Sequence, residues 1–364
     1  MFGSIISHVF RWMIGGFLLY RIPFPIASTK PLKSDPSLSI IIPARNEALN
    51  LPHLLSSLKR QIRHEIIVVD DDSDDDTARV AQSFGARVVS AGPLPSDMSG
   101  KAWACWQGAQ ASQGDILVFL DADTRLGRNG LAKLRDTYQT RGGLLTVQPY
   151  HLMRKPHEQF SLFFYLVMFA AMGAFTPLGH RLRPRGAFGA CVVCSRDLYF
   201  ENDGHRAAGG RVLEDMAMAR HFQKRGIPLW CLRGKETVSV RMYSDNLRQL
   251  IAGFSKGFAS GAQEVGLISL LAVIVWISGL FAITVNLVRA FIVPTMNVWI
   301  PMGLYVLYAA QIRWMAYRVG NYRHSTAALF PVPLLVFTYT MVYSLIQTRF
   351  IGRVSWKGRH LNTR

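Results

Sequence analysis

The stretch Asp115-Ile116-Leu117-Val118-Phe119-Leu120-Asp121-Ala122-Asp123 decides the fold, because it reads as a buried strand that ends in two carboxylates. Two similar runs precede it, Ser39–Glu47 and Ile66–Asp72, and each is a short β-branched apolar segment followed by acidic side chains. Such runs are typical of parallel strands that are covered on both faces. Apolar residues at helical spacing between the runs indicate crossover helices. The sequence therefore predicts an α/β fold built on an open, mostly parallel sheet with helices on both faces.

The acids that follow these runs indicate the kind of ligand. Parallel α/β sheets bind ligands at the carboxyl ends of their strands, so we expect at least five carboxylates on one edge of the sheet. Their charges repel one another unless a cation, or a ligand rich in hydrogen-bond donors, lies among them. A divalent metal ion that holds a diphosphate meets both demands. This edge therefore predicts an enzyme that uses a nucleotide sugar.

Asp121 and Asp123 are the candidate metal ligands. Two acids that are two residues apart on an extended strand end point to the same side, so both can reach one metal–phosphate cluster. Mg²⁺ and Mn²⁺ prefer such oxygen ligands, together with water and substrate phosphate oxygens. The alternative is a strand-end acid that leads into a turn at Thr124.

The acidic run Asp70–Asp76 divides into two parts. Acids at the start of a helix are favoured by the helix dipole, which accounts for Asp74–Asp76. Asp70 and Asp71 still belong to the strand end, where their carboxylates can accept hydrogen bonds from a nucleobase N–H or a ribose hydroxyl. We therefore expect these two to bind the nucleoside.

Lys101 and the pair Glu214-Asp215 complete the candidate site. A lysine at a helix start is electrostatically unfavourable, so Lys101 indicates an anionic partner such as the donor diphosphate. Glu214 and Asp215 lie at or near the start of a helix predicted over Val212–Arg225, where the helix dipole alone would favour them. Transfer to a hydroxyl group also needs a base within hydrogen-bonding reach, and Asp215 is the candidate.

The composition indicates membrane segments. Half of the 364 residues are hydrophobic, and three late stretches of 23 or 24 residues carry no charge, long enough to cross a bilayer. The first 26 residues are apolar but lack a small-residue cleavage site, so we expect an N-terminal anchor rather than a signal peptide. A further uncharged stretch of 20 residues favours an interfacial helix or acceptor groove. The three late stretches are Val265–Val288, Ala290–Ile312 and Ser325–Thr348, and the further one is Phe160–Gly179.

The charge distribution favours a membrane over a nucleic acid as partner. The net charge is +18, and no acid follows Glu264, whereas nine Lys or Arg residues do. Bases around spanning segments fit an anionic cytoplasmic leaflet, while a nucleic-acid reader would interleave a basic patch with exposed aromatic residues. Three spans would place the basic tail on the wrong side, so one segment is a candidate for re-entry, and Pro331 and Pro333 mark it.

In their order along the chain, these motifs resemble the family-2 inverting glycosyltransferases of GT-A fold. The similarity covers roughly residues 37–256 and implies a UDP-sugar donor, Mg²⁺ or Mn²⁺, and single displacement at the anomeric carbon. It implies that Asp215, next to Glu214, is the catalytic base and that Asp121 and Asp123 lie at the metal. The nucleotide-sugar residues that we expect are Pro43, Ala44, Arg45, Glu47, Asp70, Asp71, Lys101, Asp121 and Ala122.

A closer resemblance is to the 4,4′-diaponeurosporenoate glycosyltransferases of bacterial carotenoid synthesis, carried by Leu144–Tyr150, Arg241-Met242-Tyr243 and Val354–Arg359. The Gln-x-x-Arg-Trp motif of related membrane enzymes is absent, which favours transfer of one sugar to a lipid over polysaccharide synthesis. The resemblance implies glucose as the sugar and a C30 carotenoid acid or alcohol as the acceptor. A carotenoid acid attacks as an ionised carboxylate and needs no base, whereas an alcohol does. Both acceptors stay open at this point, as do a hopanoid, a ceramide-like lipid and a polyprenyl phosphate.

A nucleotidyltransferase is the competing enzyme class, but it would want a glycine-rich loop after the first strand, and Pro43–Glu47 contains no glycine. We expect a multi-pass protein of the cell membrane with a cytoplasmic catalytic domain. Its predicted parts are an anchor over 1–26, the GT-A domain over 37–262 with the interfacial segment 160–179, about three transmembrane helices over 265–348, and a basic tail over 349–364.

Overall fold

The protein is described here from a computed structural model, which defines residues 2–28, 35–179, 184–211, 213–261, 266–350, 353–356 and 359–362. Within these ranges the strands are β1 (Leu38–Ala44), β2 (Glu65–Asp70), β3 (Arg87–Ser90), β4 (Ile116–Leu120), β5 (Thr124–Leu126), β6 (Leu144–Gln148), β7 (Tyr150–His151), β8 (Cys191–Ser195), β9 (Leu229–Arg233), β10 (Val238–Val240), β11 (Arg353–Trp356) and β12 (Arg359–Asn362).

The helices of the same ranges alternate with the first strands and then dominate the C-terminal part. They are α1 (Phe2–Leu18), α2 (Leu51–Leu58), α3 (Thr77–Ser83), α4 (Gly100–Ala111), α5 (Gly130–Arg141), α6 (Leu162–Ala171), α7 (Arg196–Glu201), α8 (Glu214–Lys224), α9 (Leu247–Gly261), α10 (Leu267–Ile292), α11 (Trp299–Val319), α12 (His324–Ala328) and α13 (Pro331–Phe350). Two turns of 3₁₀-helix cover Pro156–Ser161 and Gly204–Ala208.

The chain forms two compact units, and the first contains the main sheet. It comprises Ile22–Leu152 and His180–Arg241. Seven strands lie in the order β3-β2-β1-β4-β8-β6-β9, and β3, β2, β1 and β4 are parallel to one another. β8 runs antiparallel to both of its neighbours, β4 and β6. The predicted α/β fold with a mostly parallel sheet is therefore confirmed.

Alternate residues of β1 explain why helices cover both faces of this sheet. Ile40 and Ile42 are buried in the core cluster that includes Leu54 of α2. Ile41 points the other way, towards α4, where a Cβ on Gly108 would lie only 2.4 Å from Ile41 Cγ2. Glycine at this position therefore allows α4 to lie directly against the sheet. The unbroken apolar run of β1 is needed because each face meets a helix.

The second unit comprises Met1–Arg21, Met153–Gly179 and Met242–Arg364 and is mainly helical. In it, α1 packs on α10 and α11 through polar as well as apolar contacts. Trp276 Nε1 donates to Gln311 Oε1 at 3.1 Å, and Gln311 Nε2 donates to the Trp12 carbonyl at 2.7 Å. A Cβ on Gly15 would lie 2.3 Å from Trp276 Nε1, so a larger residue would separate α1 from this bond.

The prediction of about three spanning helices is not confirmed. Among the described residues only α10 is both long and apolar enough to cross a bilayer, by length and composition. The uncharged stretch Ala290–Ile312 does not form one helix, because α10 continues past Arg289 to Ile292 and a break containing Pro294 follows. The next helix, α11, begins at Trp299 and contains Arg313 and Arg318, the first two arginines after this stretch. α13 begins at Pro331, and its apolar part, Pro331–Gln347, is a shorter helix.

Two other predicted segments can be compared with the structure. Within Phe160–Gly179 the helix α6 has 10 residues, about half of what a bilayer core requires. Its residues are mostly buried within the helical unit. Residues 351–352, 357–358 and 363–364 of the predicted basic tail lie outside the described part of the chain.

Candidate active site

The carboxyl ends of β1 and β2 are joined by hydrogen bonds between the loops that follow them. The Asp71 amide donates to the Ala44 carbonyl at 2.9 Å. Asn46 has a left-handed backbone with φ 55°, a conformation that asparagine tolerates better than most residues. Its side-chain oxygen accepts a hydrogen bond from the Asp74 amide at 2.8 Å. These bonds fix the residues after β1, including Glu47, beside those after β2.

This edge contains the residues predicted to bind the nucleoside. Arg45 and Asp71 form an ion pair, with 3.8 Å between Nη1 and Oδ2. Asp70 Oδ1 is a buried oxygen without a hydrogen-bond partner among the described residues, so it can accept a hydrogen bond from a ligand. The predicted residues lie at or just after the carboxyl ends of β1 and β2, which are adjacent and paired. They are Pro43, Ala44, Arg45, Glu47, Asp70 and Asp71.

Lys101 brings together three acids from two separate chain segments. It is the second residue of α4, whose N-cap Ser99 accepts a hydrogen bond from the Ala102 amide. The Lys101 ammonium nitrogen lies 2.9 Å from Asp121 Oδ1, 3.2 Å from Asp215 Oδ2 and 3.6 Å from Glu214 Oε1. The predicted metal ligand after β4 and the predicted base in α8 therefore share one cation.

These contacts shift the pKa values of the whole group. Burial disfavours the Lys101 charge, but the surrounding carboxylates outweigh it and raise the pKa of Lys101 well above its usual value. Burial also opposes ionisation of Asp215, yet the Lys101 ammonium and the nearby His205 ring hold the pKa of Asp215 below its ordinary range. Burial and the neighbouring Asp215 charge raise the pKa of Glu214 to about 7. Asp215 is thus the more acidic member of the pair, and Glu214 holds its proton more readily than an ordinary glutamate.

Asp123 differs from Asp121 in its electrostatic environment. Burial raises the pKa of Asp123 to about 7, and the charges of Asp121 and Glu47 contribute. Burial also raises the pKa of Asp121, but Lys101 opposes this shift. Ala122 between them is buried. Lys101 opposes the shift at Asp123 as well, but among the described residues its ion pair at this strand end is with Asp121.

These two carboxylates suit a hard divalent cation such as Mg²⁺ or Mn²⁺. Such ions bind through one or two carboxylates plus water and substrate phosphate oxygens, and so do not need a cage made only of protein ligands. Within the described part of the chain, no group of three or more His, Cys, Asp or Glu residues is arranged to hold a metal. The charged form of Asp123 is destabilised in the fold. Such a carboxylate fits a metal ion whose remaining ligands are supplied by the substrate.

Gly189 lies directly against the candidate base. Its carbonyl accepts a hydrogen bond from Lys101 Nζ at 3.3 Å, and a Cβ placed on it would lie 1.7 Å from Asp215 Oδ2. No side chain fits there unless Asp215 moves. Gly189 could not be singled out from the sequence, because a glycine before a strand has no distinctive pattern of its own.

We expect Gly189→Ala to reduce sugar transfer by about a hundredfold, since displacing a catalytic group by about 1 Å can cost that much. The reason is that the added methyl group must push the Asp215 carboxylate away from Lys101. Gly303→Ala is the control, because a Cβ at Gly303 would meet nothing within 4 Å. Initial rates of transfer at saturating donor would measure the effect, and equal rates for the two variants would contradict it.

Tyr199 and His205 also lie at the site, although the sequence did not point to them. Both side chains are fully buried, and His205 Nε2 lies 3.6 Å from Asp215 Oδ1. Neither residue follows a recognisable motif in the sequence. The one available signal was the Asn202-Asp203-Gly204 turn before His205, which marks a tight bend but no chemistry.

The α/β fold with its mostly parallel sheet is that of the GT-A glycosyltransferases, as comparisons with known proteins show. The family model described as glycosyl transferase family 2 matches residues 39–169, from the second residue of β1 to within α6, and includes the acids that follow β1, β2 and β4.

Relatives with curated descriptions extend the similarity to nearly the whole chain. A protein of Staphylococcus aureus (strain USA300) described as 4,4′-diaponeurosporenoate glycosyltransferase is 33% identical over 328 residues, 89% of this chain and 88% of the relative. Its counterpart in the bovine strain RF122 / ET3-1 is 32% identical over the same share of each chain. The chain therefore belongs to glycosyltransferase family 2.

Solved structures support the same fold. A mannosyltransferase from Pyrobaculum calidifontis, in complex with GDP-Man and Mn²⁺, matches with a TM-score of 0.50 and 15% sequence identity. The match covers 94% of this chain and 95% of the mannosyltransferase.

Proposed function

We propose that this protein is a membrane-bound inverting glycosyltransferase that transfers a single glucose from UDP-glucose to a C30 carotenoid acid or alcohol. The convergence of Asp121, Glu214 and Asp215 on Lys101 carries the proposal, because it places a strand-end acid suited to the donor beside a candidate base. The relatives described as diaponeurosporenoate glycosyltransferases support the acceptor class.

The donor would lie along the acidic edge of the sheet. Asp70 and Asp71 would accept hydrogen bonds from the nucleoside, as the unpartnered Asp70 Oδ1 suggests. Asp121 and Asp123 would hold a divalent cation, which when bound neutralises charge on the diphosphate leaving group. Lys101 supplies a second, permanent positive charge beside Asp121. The carboxylates of this edge repel one another without a ligand. The metal ion and Lys101 would together match the edge to a diphosphate.

The reaction would be a single displacement. An acceptor oxygen forms a bond to the anomeric carbon, the bond to the diphosphate oxygen breaks, and UDP leaves with the electron pair. With an alcohol as acceptor, Asp215 takes the hydroxyl proton. With a carotenoid acid, the attacking oxygen is already ionised near neutral pH, and no proton needs to move.

The exposed apolar surface of the helical unit supports membrane association. Phe10 on α1, Ile268 and Phe291 on α10, and Leu335 and Ile346 on α13 are each more than 50% exposed. Large exposed apolar patches on a soluble protein mark interaction or membrane sites, and these side chains are candidates for such a site. We propose that α10 spans the bilayer and that the other helices of this unit contact it.

Membranes that contain the protein, incubated with labelled UDP-glucose, Mg²⁺ and a lipid extract with C30 carotenoid acids and alcohols, would test the proposal. We expect a new organic-phase species that is heavier by one hexose, identified by mass spectrometry. Alkali lability would distinguish an ester, formed on the acid, from the alkali-stable glycoside formed on the alcohol. Membranes with the Asp123→Ala variant are the matched control. Intact UDP-glucose and no new species would contradict the proposed donor or acceptor.

A further inference from the structure

A tyrosine–histidine pair lies behind the candidate base, on the side away from Lys101. His205 Nδ1 and the Tyr199 hydroxyl are 2.9 Å apart, and the Tyr199 oxygen also accepts a hydrogen bond from the His205 amide at 3.2 Å. His205 Nε2 faces Asp215 Oδ1 at 3.6 Å. Neither of these two facing atoms has a hydrogen-bond partner among the described residues.

The hydrogen bonds of Tyr199 determine which nitrogen of His205 carries the proton. The Tyr199 oxygen already accepts from the His205 amide, and among the described residues its own proton has no acceptor other than His205 Nδ1. A neutral imidazole has one N–H and one acceptor nitrogen. With Nδ1 accepting, the N–H of the ring is at Nε2 and points at Asp215.

The surroundings fix this pair in place. The Tyr199 ring stacks between Phe119 of β4, at 5.1 Å, and Trp106 of α4, at 5.8 Å. His205 is the second residue of the 3₁₀ turn Gly204–Ala208, and the preceding Gly204 has φ +37°. A Cβ on Gly204 would lie 2.2 Å from the Tyr199 ring, so glycine allows the turn to close on that ring.

Asp215 is therefore held from both sides. Its Oδ2 faces Lys101 Nζ and the Gly189 backbone, while its Oδ1 faces His205 Nε2. A buried N–H without a partner is costly, and the Asp215 carboxylate is the group that can offset that cost here. His205 has no path to substrate of its own, since the ring is 1% exposed.

We infer that His205, with its proton fixed on Nε2 by Tyr199, is a positioning residue that orients Asp215 for proton transfer from the acceptor. This role rests on the proposed function of Asp215 as the base. It predicts that losing the Nε2–H donor lowers kcat and leaves the KM for UDP-glucose nearly unchanged, because the His205 ring faces Tyr199, Phe119 and Asp215 among the described residues.

The test compares His205→Leu, which removes the donor, with His205→Gln, whose side-chain amide can again donate near the Nε2 position. The full-length protein in membranes is assayed for transfer to a C30 carotenoid alcohol and for slow release of UDP from UDP-glucose to water, which also needs a base. We expect His205→Leu to lose about tenfold to a hundredfold in kcat, the usual effect of removing an orienting partner, and His205→Gln to recover most of it.

A double-mutant cycle separates this inference from the proposed function. In an Asp215→Asn background, His205→Leu should cause no further loss, because the carboxylate that it orients is gone. If Asp215→Asn itself keeps wild-type rates in both assays, the base assignment fails. If Asp215→Asn is inactive while His205→Leu has normal kcat, the positioning role alone is wrong.

Tyr199→Phe provides a second route to the same answer if His205→Leu does not fold. It keeps the stacked ring and removes only the hydroxyl that donates to His205 Nδ1. We expect a smaller fall in kcat with an unchanged melting temperature. Equal kcat losses in His205→Leu and His205→Gln, or an unchanged kcat in Tyr199→Phe, would overturn the inference.

Discussion

Replacing Asp123 with alanine is expected to reduce metal-dependent sugar transfer by at least about a hundredfold, while the fold stays intact. A bound metal contributes several kcal/mol to stabilising charge in the transition state, and each 1.4 kcal/mol corresponds to about tenfold in rate. The fold should tolerate the change because burial and the charges of Asp121 and Glu47 disfavour the ionised carboxylate in the folded protein. Removing Asp123 relieves that cost.

The pH dependence of metal binding gives this prediction an independent measurement. The pKa of Asp123 is raised to about 7 in the folded protein, whereas an unfolded chain has an aspartate pKa of about 4. The unfolded state therefore loses its proton first as pH rises, and the metal-free fold loses stability between pH 4 and pH 7 or slightly above. A metal ion binds the ionised form and offsets this loss.

We accordingly expect Mn²⁺ to raise the melting temperature of the wild-type protein more at pH 8 than at pH 6. The comparison uses the shift caused by Mn²⁺, not the melting temperature itself, because Glu214 has a pKa raised to about 7 as well and contributes the same trend. In Asp123→Ala the pH-dependent part of the Mn²⁺ shift should disappear. Differential scanning fluorimetry in detergent would measure both proteins.

Asp74→Ala is the matched control for Asp123→Ala. Asp74 is an exposed acid of the run that follows β2, at the start of the loop before α3, where the helix dipole accounts for it. The control should retain both the Mn²⁺ shift and transfer. Normal turnover in Asp123→Ala, or a full Mn²⁺ shift in that variant, would show that the metal does not bind at Asp123.

The parallel part of the fold could be predicted from the sequence because its signals are local. β1, β2 and β4 are unbroken apolar runs, and such runs identify strands that are buried on both faces wherever they occur. The acids after them are adjacent in sequence to the strands that position them. The edge of the sheet and its candidate residues, from Glu47 to Asp123, follow from these two facts and from the rule that ligands bind at strand carboxyl ends.

The remaining features depend on contacts between segments that are distant in sequence. The antiparallel insertion of β8 between β4 and β6 brings Gly189 and α8 to the site, and nothing in the residues of β8 specifies its direction. Lys101 was predicted to meet an anionic donor, but its pairing with both Asp121 and Asp215 links residues up to 114 positions apart. The Tyr199–His205 pair depends on the same long-range packing.

The membrane segments show a different limit of sequence patterns. An uncharged stretch gives the length of an apolar run but not the place where the helix breaks. α10 runs through Arg289 and ends near Pro294, so the uncharged stretch that begins at Ala290 belongs partly to one helix and partly to the next. The charge of Arg289 does not mark the boundary, because the backbone restriction imposed by proline is what separates the two helices.

Replacing Asp215 with asparagine is expected to have different effects on the two acceptors. Transfer to a C30 carotenoid alcohol should fall by about 10²- to 10⁴-fold, the usual contribution of a general base. Transfer to the corresponding acid should fall by less than about tenfold, because an ionised carboxylate attacks without losing a proton. The assay is transfer from labelled UDP-glucose to each pure acceptor, with both kcat and KM determined.

The surroundings of Asp215 make this comparison a strict one. Asparagine has nearly the same shape, so the contact with Gly189 is preserved, and Lys101 keeps its ion pair with Asp121 at 2.9 Å. Glu214→Gln is the matched control, because it removes the neighbouring carboxylate of the same helical turn, also within 3.6 Å of Lys101. It should retain most of the activity on the alcohol.

The low pKa of Asp215 bears directly on the expected outcome. In the donor-free protein the Lys101 charge, together with His205, keeps Asp215 ionised, which makes it ready to accept a proton but weakly basic. A diphosphate bound beside Asp121 would share the Lys101 ammonium, lessen its effect on Asp215 and so raise the basicity of that carboxylate when the acceptor is present. Equal losses on both acceptors in Asp215→Asn would instead mean that Asp215 serves to place Lys101 against the donor, and the proton would then need another acceptor.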